Sequence, residues 1–454
     1  MRLRARTTRS TVAVGLGTAA LLAVTTLPGA AAPPSSAPAG APPAWSSSLA
    51  TAQPSDAAFA AAAPTCSDAP RQLPIHEFTD HRELGADLTR IEQVSAGAVD
   101  VEQVGRSNRG REIWSARVGT GDTVVLMTSE IHGNEKVGTD ALVDLVEWMG
   151  TSTTPKAQRW RDELTLVAIP KMNPDGAELD RRGNDQTWAE VQARHPQLRG
   201  AEPSWNYYDT PRTGDDYGAA PGFDTNRDYN PDLAYVPQPE DFPGSSEEAG
   251  WYITPEASTV RDVYRGLQAE FGEVDTYVDL HHQGACYVMP DDPEQFVTLS
   301  ISGQFVADPS TEPEYAEYAE GYDLDYSKQL NVAVNQALQK AAERRPVLGN
   351  VTLYPQGLDL PGTGLGSFQL NGSGAVLFEI RGQTQTLGQQ YRAMLTRATY
   401  VGLDGLMTSV ATGRVADLDP AEYDAIPLRG PSIGSAEQAD EDARVLRSAG
   451  VDID

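Results

Sequence analysis

Only six histidines occur in 454 residues, so where they stand carries information. His132 precedes Glu135 by three residues in Ser129-Glu130-Ile131-His132-Gly133-Asn134-Glu135. At a turn, that spacing can bring an imidazole nitrogen and a carboxylate oxygen to one zinc ion. Taken alone, the pair also fits a capping glutamate and a surface histidine. Asp279-Leu280-His281-His282-Gln283-Gly284 offers a third donor at a strand end. Two histidines and one carboxylate form a catalytic zinc set that keeps a position open for water. Such a water needs a proton acceptor. Glu379, in Leu377-Phe378-Glu379-Ile380-Arg381, is a carboxylate inside an apolar run. It either faces solvent from an edge strand or faces a cleft as a general base. Arg182, and Arg227 in Phe223-Asp224-Thr225-Asn226-Arg227-Asp228, offer guanidinium forks. Such forks suit a carboxylate or a developing oxyanion, and equally a surface ion pair.

These residues need elements to hold them. Thr123–Thr128 and Leu164–Ile169 are short apolar runs of the kind found in buried parallel strands. Val274–Leu280 and Ala375–Ile380 are two more. Between the first pair, Val137, Ala141, Leu142, Leu145, Val146 and Met149 recur at helical spacing. Thr254-Pro255-Glu256 reads as an N-cap, a proline at the first helical position and an acid in the first turn. Another helix is expected over Thr79–Ser95. Strands alternating with helices predict an α/β fold around a mixed, mostly parallel sheet flanked by helices. Chemistry in such sheets gathers beyond the carboxyl ends of the strands. The candidate residues lie at those ends.

Composition narrows the function class. Thirty-five Lys and Arg stand against 64 Asp and Glu, a formal charge of −29. Phosphate backbones and anionic lipid repel such a chain, so no nucleic-acid partner is expected. Two cysteines cannot build a Cys-rich zinc module. Residues 1–32 read as a signal peptide: Arg2, Arg4, Arg6 and Arg9, an apolar run over Thr11–Thr26, then small residues. The run is too short for a membrane span. Secretion by the general route follows, and it permits a disulfide between Cys66 and Cys286. Residues 33–71 are Ala-, Pro- and Ser-rich, a linker or a removable pro-segment. The catalytic domain is expected over 72–415, with a loosely ordered acidic tail over 416–454.

The motifs, taken in order, resemble those of the zinc metallocarboxypeptidases of the carboxypeptidase A/B kind. They are HGNE at 132–135, NPDG at 173–176, Arg182-x-Asn184, DTNR at 224–227, LHHQG at 280–284 and FEIR at 378–381. The lead-in GRSNRGREIWSARVG at 105–119 is also similar to the family's. The resemblance spans about residues 78–410 and implies an eight-stranded-type sheet and one zinc ion per chain. His132, Glu135 and His281 would be its ligands. His282 is a competing register, ranked lower because the family's ligand directly follows the hydrophobic strand residue. Glu379 matches the general base, and Arg182 the arginine that holds the oxyanion. Asn226 and Arg227 match the clamp on a substrate's terminal carboxylate. Tyr354 resembles the mobile tyrosine that closes over substrate. Peptide or protein C-termini would be the substrate of a monomeric hydrolase.

Some features depart from the family's pattern. Thr225 stands where leucine is commoner. Residues 185–221 form an insertion rich in Trp and Tyr, expected at the cleft mouth. Asp359, in Gly357–Phe368, could favour basic side chains or be a solvated loop acid. A deacylase of N-acyl amino acids, a hydrolase of cell-wall peptides and a catalytically dead binding module are the competing readings.

Overall fold

The structure, a computed structural model, describes residues 75–212, 215–382 and 388–433. The expected signal peptide, the linker up to residue 71, Cys66 and residues 434–454 lie outside the described residues. Cys286 is disulfide-bonded.

Eight strands form the central sheet: β1 (Val99–Arg106), β2 (Glu112–Val118), β3 (Thr123–Ser129), β4 (Leu164–Ile169), β5 (Thr276–Gln283), β6 (Leu299–Ser302), β7 (Val351–Leu353) and β8 (Gly374–Arg381). Their order is β1-β2-β4-β3-β5-β8-β6-β7. The pairs β4-β3, β3-β5, β5-β8 and β6-β7 are parallel; the other three are antiparallel. The sheet is therefore mixed and mostly parallel, as the alternating pattern predicts. Parallel alignment brings the C-terminal ends of β4, β3, β5 and β8 to one edge.

Each central strand is buried on both faces, which is why it reads as a continuous apolar run. Val125 and Met127 of β3, Val278 and Leu280 of β5, and Val376, Phe378 and Ile380 of β8 belong to one core. That core is completed by α1 (His81–Val94), α2 (Val137–Thr151), α7 (Leu324–Ala342) and α9 (Gln389–Ala411). Val124, Leu126, Tyr277, Ala375 and Leu377 point the other way, against α6 (Pro255–Phe271) and α8 (Gly364–Leu370). Two-residue alternation then sends Asp279, His281 and Glu379 to this second side. α1 starts at a capping box of Asp80 with Glu83, and α6 at the expected Thr254 cap with Pro255.

Three expectations change. β5 runs on to Gln283, so His281 and His282 lie in the strand, not after it. The stretch from Asp291 onward, which showed no element in sequence, supplies β6, which makes β8 an interior strand. Glu379 accordingly sits inside the sheet. Residues 416–433, expected as a loose tail, pack on the domain, with Tyr423 and Ile426 buried.

Residues 185–221 share a small separate core with Phe223, Trp251 and Ile253. α5 (Trp188–Arg194) begins at a Thr187–Glu190 capping box. Trp188, Val191, Leu198, Phe223, Trp251 and Ile253 cluster there. Beside it, Glu256 is wholly buried in the first turn of α6. Burial pushes its carboxyl up to about 7; Asn184 Nδ2, donating at 2.9 Å, opposes this and the charge of Asp175 adds to it. The folded chain holds that proton more tightly than the unfolded chain, where a glutamate titrates near ~4.3. The stabilisation is complete below the unfolded pKa and is lost as pH rises through about 7. Urea unfolding from pH 4 to 8 should show wild type losing on the order of 2–3 kcal/mol relative to Glu256→Gln. A difference between the two that stays constant with pH would refute this.

Candidate metal centre and active site

The site is assembled at the shared strand edge. Beyond β3 the chain turns through Glu130, which has a φ of 53°. Its carboxylate is locked to Lys171, the second residue after β4, by Nζ bonds of 2.7 and 2.8 Å. Asn173 caps α4 (Pro174–Glu178), and its Nδ2 donates to Ile131 O at 3.1 Å. Gly133 lies so close to this helix that a Cβ would stand 2.0 Å from the Gly176 carbonyl carbon. Buried Lys136 donates to Gly133 O at 2.8 Å and to Ala177 O at 2.7 Å. The NPDG motif is thus a strut under the HGNE turn.

That turn presents His132 and Glu135 toward His281. Glu135 Oε1 is 3.0 Å from His132 Nδ1, and Oε2 is 3.1 Å from His281 Nδ1. The two Nδ1 atoms are 3.2 Å apart. All three side chains are buried, with one ligand atom from each within 4.8 Å of the others. Behind them, His132 Nε2 donates to Asp224 Oδ1 at 3.3 Å and His281 Nε2 to Asp279 Oδ2 at 2.9 Å. A proton on each Nε2 leaves both Nδ1 lone pairs facing each other and a carboxylate. Such a donor set suits a cation at its centre, and imidazole–carboxylate donors suit zinc. The Asp224 carboxyl is held well below the usual range: burial would raise it, but Arg182 and the hydrogen bond from His132 outweigh that.

His282 does not join the set. Alternation along β5 turns it to the opposite face, where Val137 N donates to its Nε2 at 3.3 Å and its Nδ1 bonds Gly382 O. Burial lowers its pKa to about 4.

Glu379 is directly opposite His281 in the β5–β8 register. It is 8% exposed. Burial pushes its carboxyl up to about 7; the charge of Glu135 adds to this, and that of Arg429 opposes it. Arg182 binds Asp224 Oδ2 through Nε at 2.9 Å and Nη2 at 2.8 Å, and its Nη1 reaches 3.3 Å from His132 Nδ1. Asn226 is buried between His281 Nε2 at 3.5 Å and Gly364 N at 3.1 Å. Arg227 is half-buried, with Nη1 on Asn226 O at 2.8 Å. Tyr354 follows β7 and stacks on Arg429, 5.0 Å from guanidinium to ring centroid.

Other motif residues are structural. Asn184 bridges Glu256 and the Phe223 amide. Arg381 donates to Ala285 O and stacks on Phe296. Asp359 Oδ1 accepts from Ala307 N and the Tyr315 hydroxyl. Asp224 and Asp279 are supports of the imidazoles that the motifs alone do not reveal. The signal for Asp279 was its place two residues before His281, on the same strand face. Asp224 could be tied to His132, 92 residues away, only by the fold.

Asp279→Asn should weaken zinc binding by about 10- to 100-fold, because the amide no longer fixes the His281 tautomer. Competition with a chromophoric chelator measures it. Wild-type affinity in the variant would show that Asp279 does not orient the ligand.

A family model described as zinc carboxypeptidase matches residues 86–355. Glu379 lies beyond the matched stretch. The chain is 23% identical over 142 residues to a zinc carboxypeptidase of Saccharothrix mutabilis subsp. capreolus, covering 29% of this chain and 33% of that protein. It is 27% identical over 113 residues to carboxypeptidase M of Mus musculus, covering 22% and 26%. The match thus spans a third or less of these relatives' length. Among solved structures, carboxypeptidase A of Helicoverpa armigera aligns at 16% identity and a TM-score of 0.46, over 80% of this chain and 79% of that one. A metallo-carboxypeptidase of Burkholderia cenocepacia aligns at 15% and 0.43, over 74% and 69%. With more than half of its length matched by the family model, the chain belongs to the zinc carboxypeptidase family.

Proposed function

We propose that the protein is a secreted, monomeric metallocarboxypeptidase that hydrolyses the C-terminal amide bond of peptides. The observation that carries this reading is the register of β5 and β8, which sets the Glu379 carboxylate beside the His132–Glu135–His281 cluster on one sheet face. A zinc ion held by those three residues supplies a Lewis acid for the scissile carbonyl and acidifies a water.

The chain's own residues do the rest. Glu379 takes a proton from the attacking water and passes it to the departing amine nitrogen. Burial of this carboxyl favours the proton it carries between the two transfers. Arg182 brings its charge to within 3.3 Å of His132 Nδ1, beside the cluster, where it stabilises the developing oxyanion. Its two bonds to Asp224 fix the fork before substrate arrives. Asn226 and Arg227 receive the substrate's terminal carboxylate, a charge that the guanidinium is built to match. Tyr354 covers the bound residue. Among the described residues, no helix is long and apolar enough to cross a membrane.

Residue release from a mixed peptide library, with and without a zinc chelator, tests the reading. Single residues should leave from free C-termini, stop with chelator, and fail on amidated C-termini. Glu379→Gln should lower kcat by about 10²- to 10⁴-fold and keep its zinc. Full activity in that variant, or release of acyl groups from N-acyl amino acids in place of terminal residues, would sink the assignment.

A further inference from the structure

Residues 427–433 join two parts of the site. On one side, Leu353 N donates to Pro427 O at 2.8 Å and Arg429 N to Leu353 O at 3.1 Å. The segment thereby extends the sheet past β7 with a parallel bridge between Leu353 and Leu428. On the other side, Gly430 N donates to Val288 O at 3.1 Å, Val288 N to Pro431 O at 3.3 Å and Ile433 N to Cys286 O at 3.0 Å. These bonds reach the loop that leaves the ligand strand β5. Glycine is needed at 430, where a Cβ would stand 2.5 Å from Val288 O. Leu428 and Ile433 are exposed, so their apolar side chains do not hold the segment down. Hydrogen bonds and an inward side chain do.

That side chain is Arg429. Its guanidinium carbon is 3.6 Å from the Tyr287 ring centroid and 5.0 Å from that of Tyr354. Its Nη1 donates to Gln283 Oε1 at 2.9 Å, and Gln283 Nε2 donates to Glu379 O at 3.0 Å. One cation thus touches the tyrosine at the end of β7 and, through one buried amide, the backbone of Glu379. A guanidinium plane between aromatic faces gains both stacking and cation–π attraction. It also limits where the Tyr354 ring can go.

We propose that Arg429 is a positioning residue of this active site, holding the Tyr354 ring and, through Gln283, the backbone that carries Glu379. What the site hydrolyses rests on the peptidase reading above; where Tyr354 sits does not. Arg429→Met and Arg429→Lys, compared with wild type, test it. In Arg429→Met, kcat/KM should fall by about tenfold with zinc content unchanged, and Arg429→Lys should recover part of that. In a Tyr354→Ala background the same change should cost less than about threefold, because the two residues act together. Independently of turnover, nitration of Tyr354 by tetranitromethane, followed by mass spectrometry, should rise in Arg429→Met. Equal losses in both backgrounds, or wild-type kinetics with wild-type nitration, would overturn the proposal. Wild-type protein that holds zinc yet releases no residue would overturn the peptidase reading instead, and nitration would still decide the place of Tyr354.

Discussion

Burying Glu135, Asp224, Asp279 and Glu379 around two imidazoles is the constraint on which the rest of this site depends. A carboxylate out of water is costly unless cations or hydrogen bonds answer it. Here each is answered differently. Asp224 has Arg182 and His132, Asp279 has His281 and the Thr128 hydroxyl, and Glu135 has the His282 backbone amide. Among the described residues Glu379 is answered least, by charge across the site and by no side-chain hydrogen bond, and of these four carboxyls it is the one that burial pushes up. Cations and hydrogen bonds hold Asp224 and Asp279 in place behind the imidazoles, whereas burial is the largest influence on the Glu379 carboxyl.

Holding so many charges in place demands a rigid floor. The Glu130–Lys171 pair, nearly inaccessible to solvent, and the Lys136 bonds to two backbone carbonyls tie the turn after β3 to the turn after β4. A buried ion pair contributes little net stability, but removing one partner is expensive, so it specifies a geometry more than it stabilises the fold. The positive φ at Glu130 is part of that geometry, held by the ion pair and by the Thr139 hydroxyl. At the far end of the edge, the C-terminal segment and Arg429 brace β7 and the loop after β5 in the same manner.

Much of this was legible from residue order. The apolar runs that became β3, β4, β5 and β8 are buried on both faces, and two-sided burial leaves an uninterrupted apolar stretch that any reading detects. The caps at Thr254 and the helical face of α2 are local chemistry and were equally plain. β6 and β7 escaped because they are four and three residues long, too short for a pattern to rise above chance. The packing of residues 416–433 escaped because it rests on two isolated apolar side chains, Tyr423 and Ile426, on backbone bonds and on Arg429, and none of these leaves an apolar period.

By itself the sequence determined the donor types, their order and their placement near strand ends, since these follow from local periodicity and residue chemistry. Tertiary structure alone decided which of two adjacent histidines faces the cluster, because that depends on the phase of β5 relative to its neighbours. It decided that Glu379 is interior, because β6 covers its strand. It also decided that Asp224 and Asp279 stand behind the imidazoles and that Arg429 reaches the site from beyond residue 415. Each of these is a contact between groups distant in the chain or a choice of face. Burial and register set such contacts only once the sheet has closed around them.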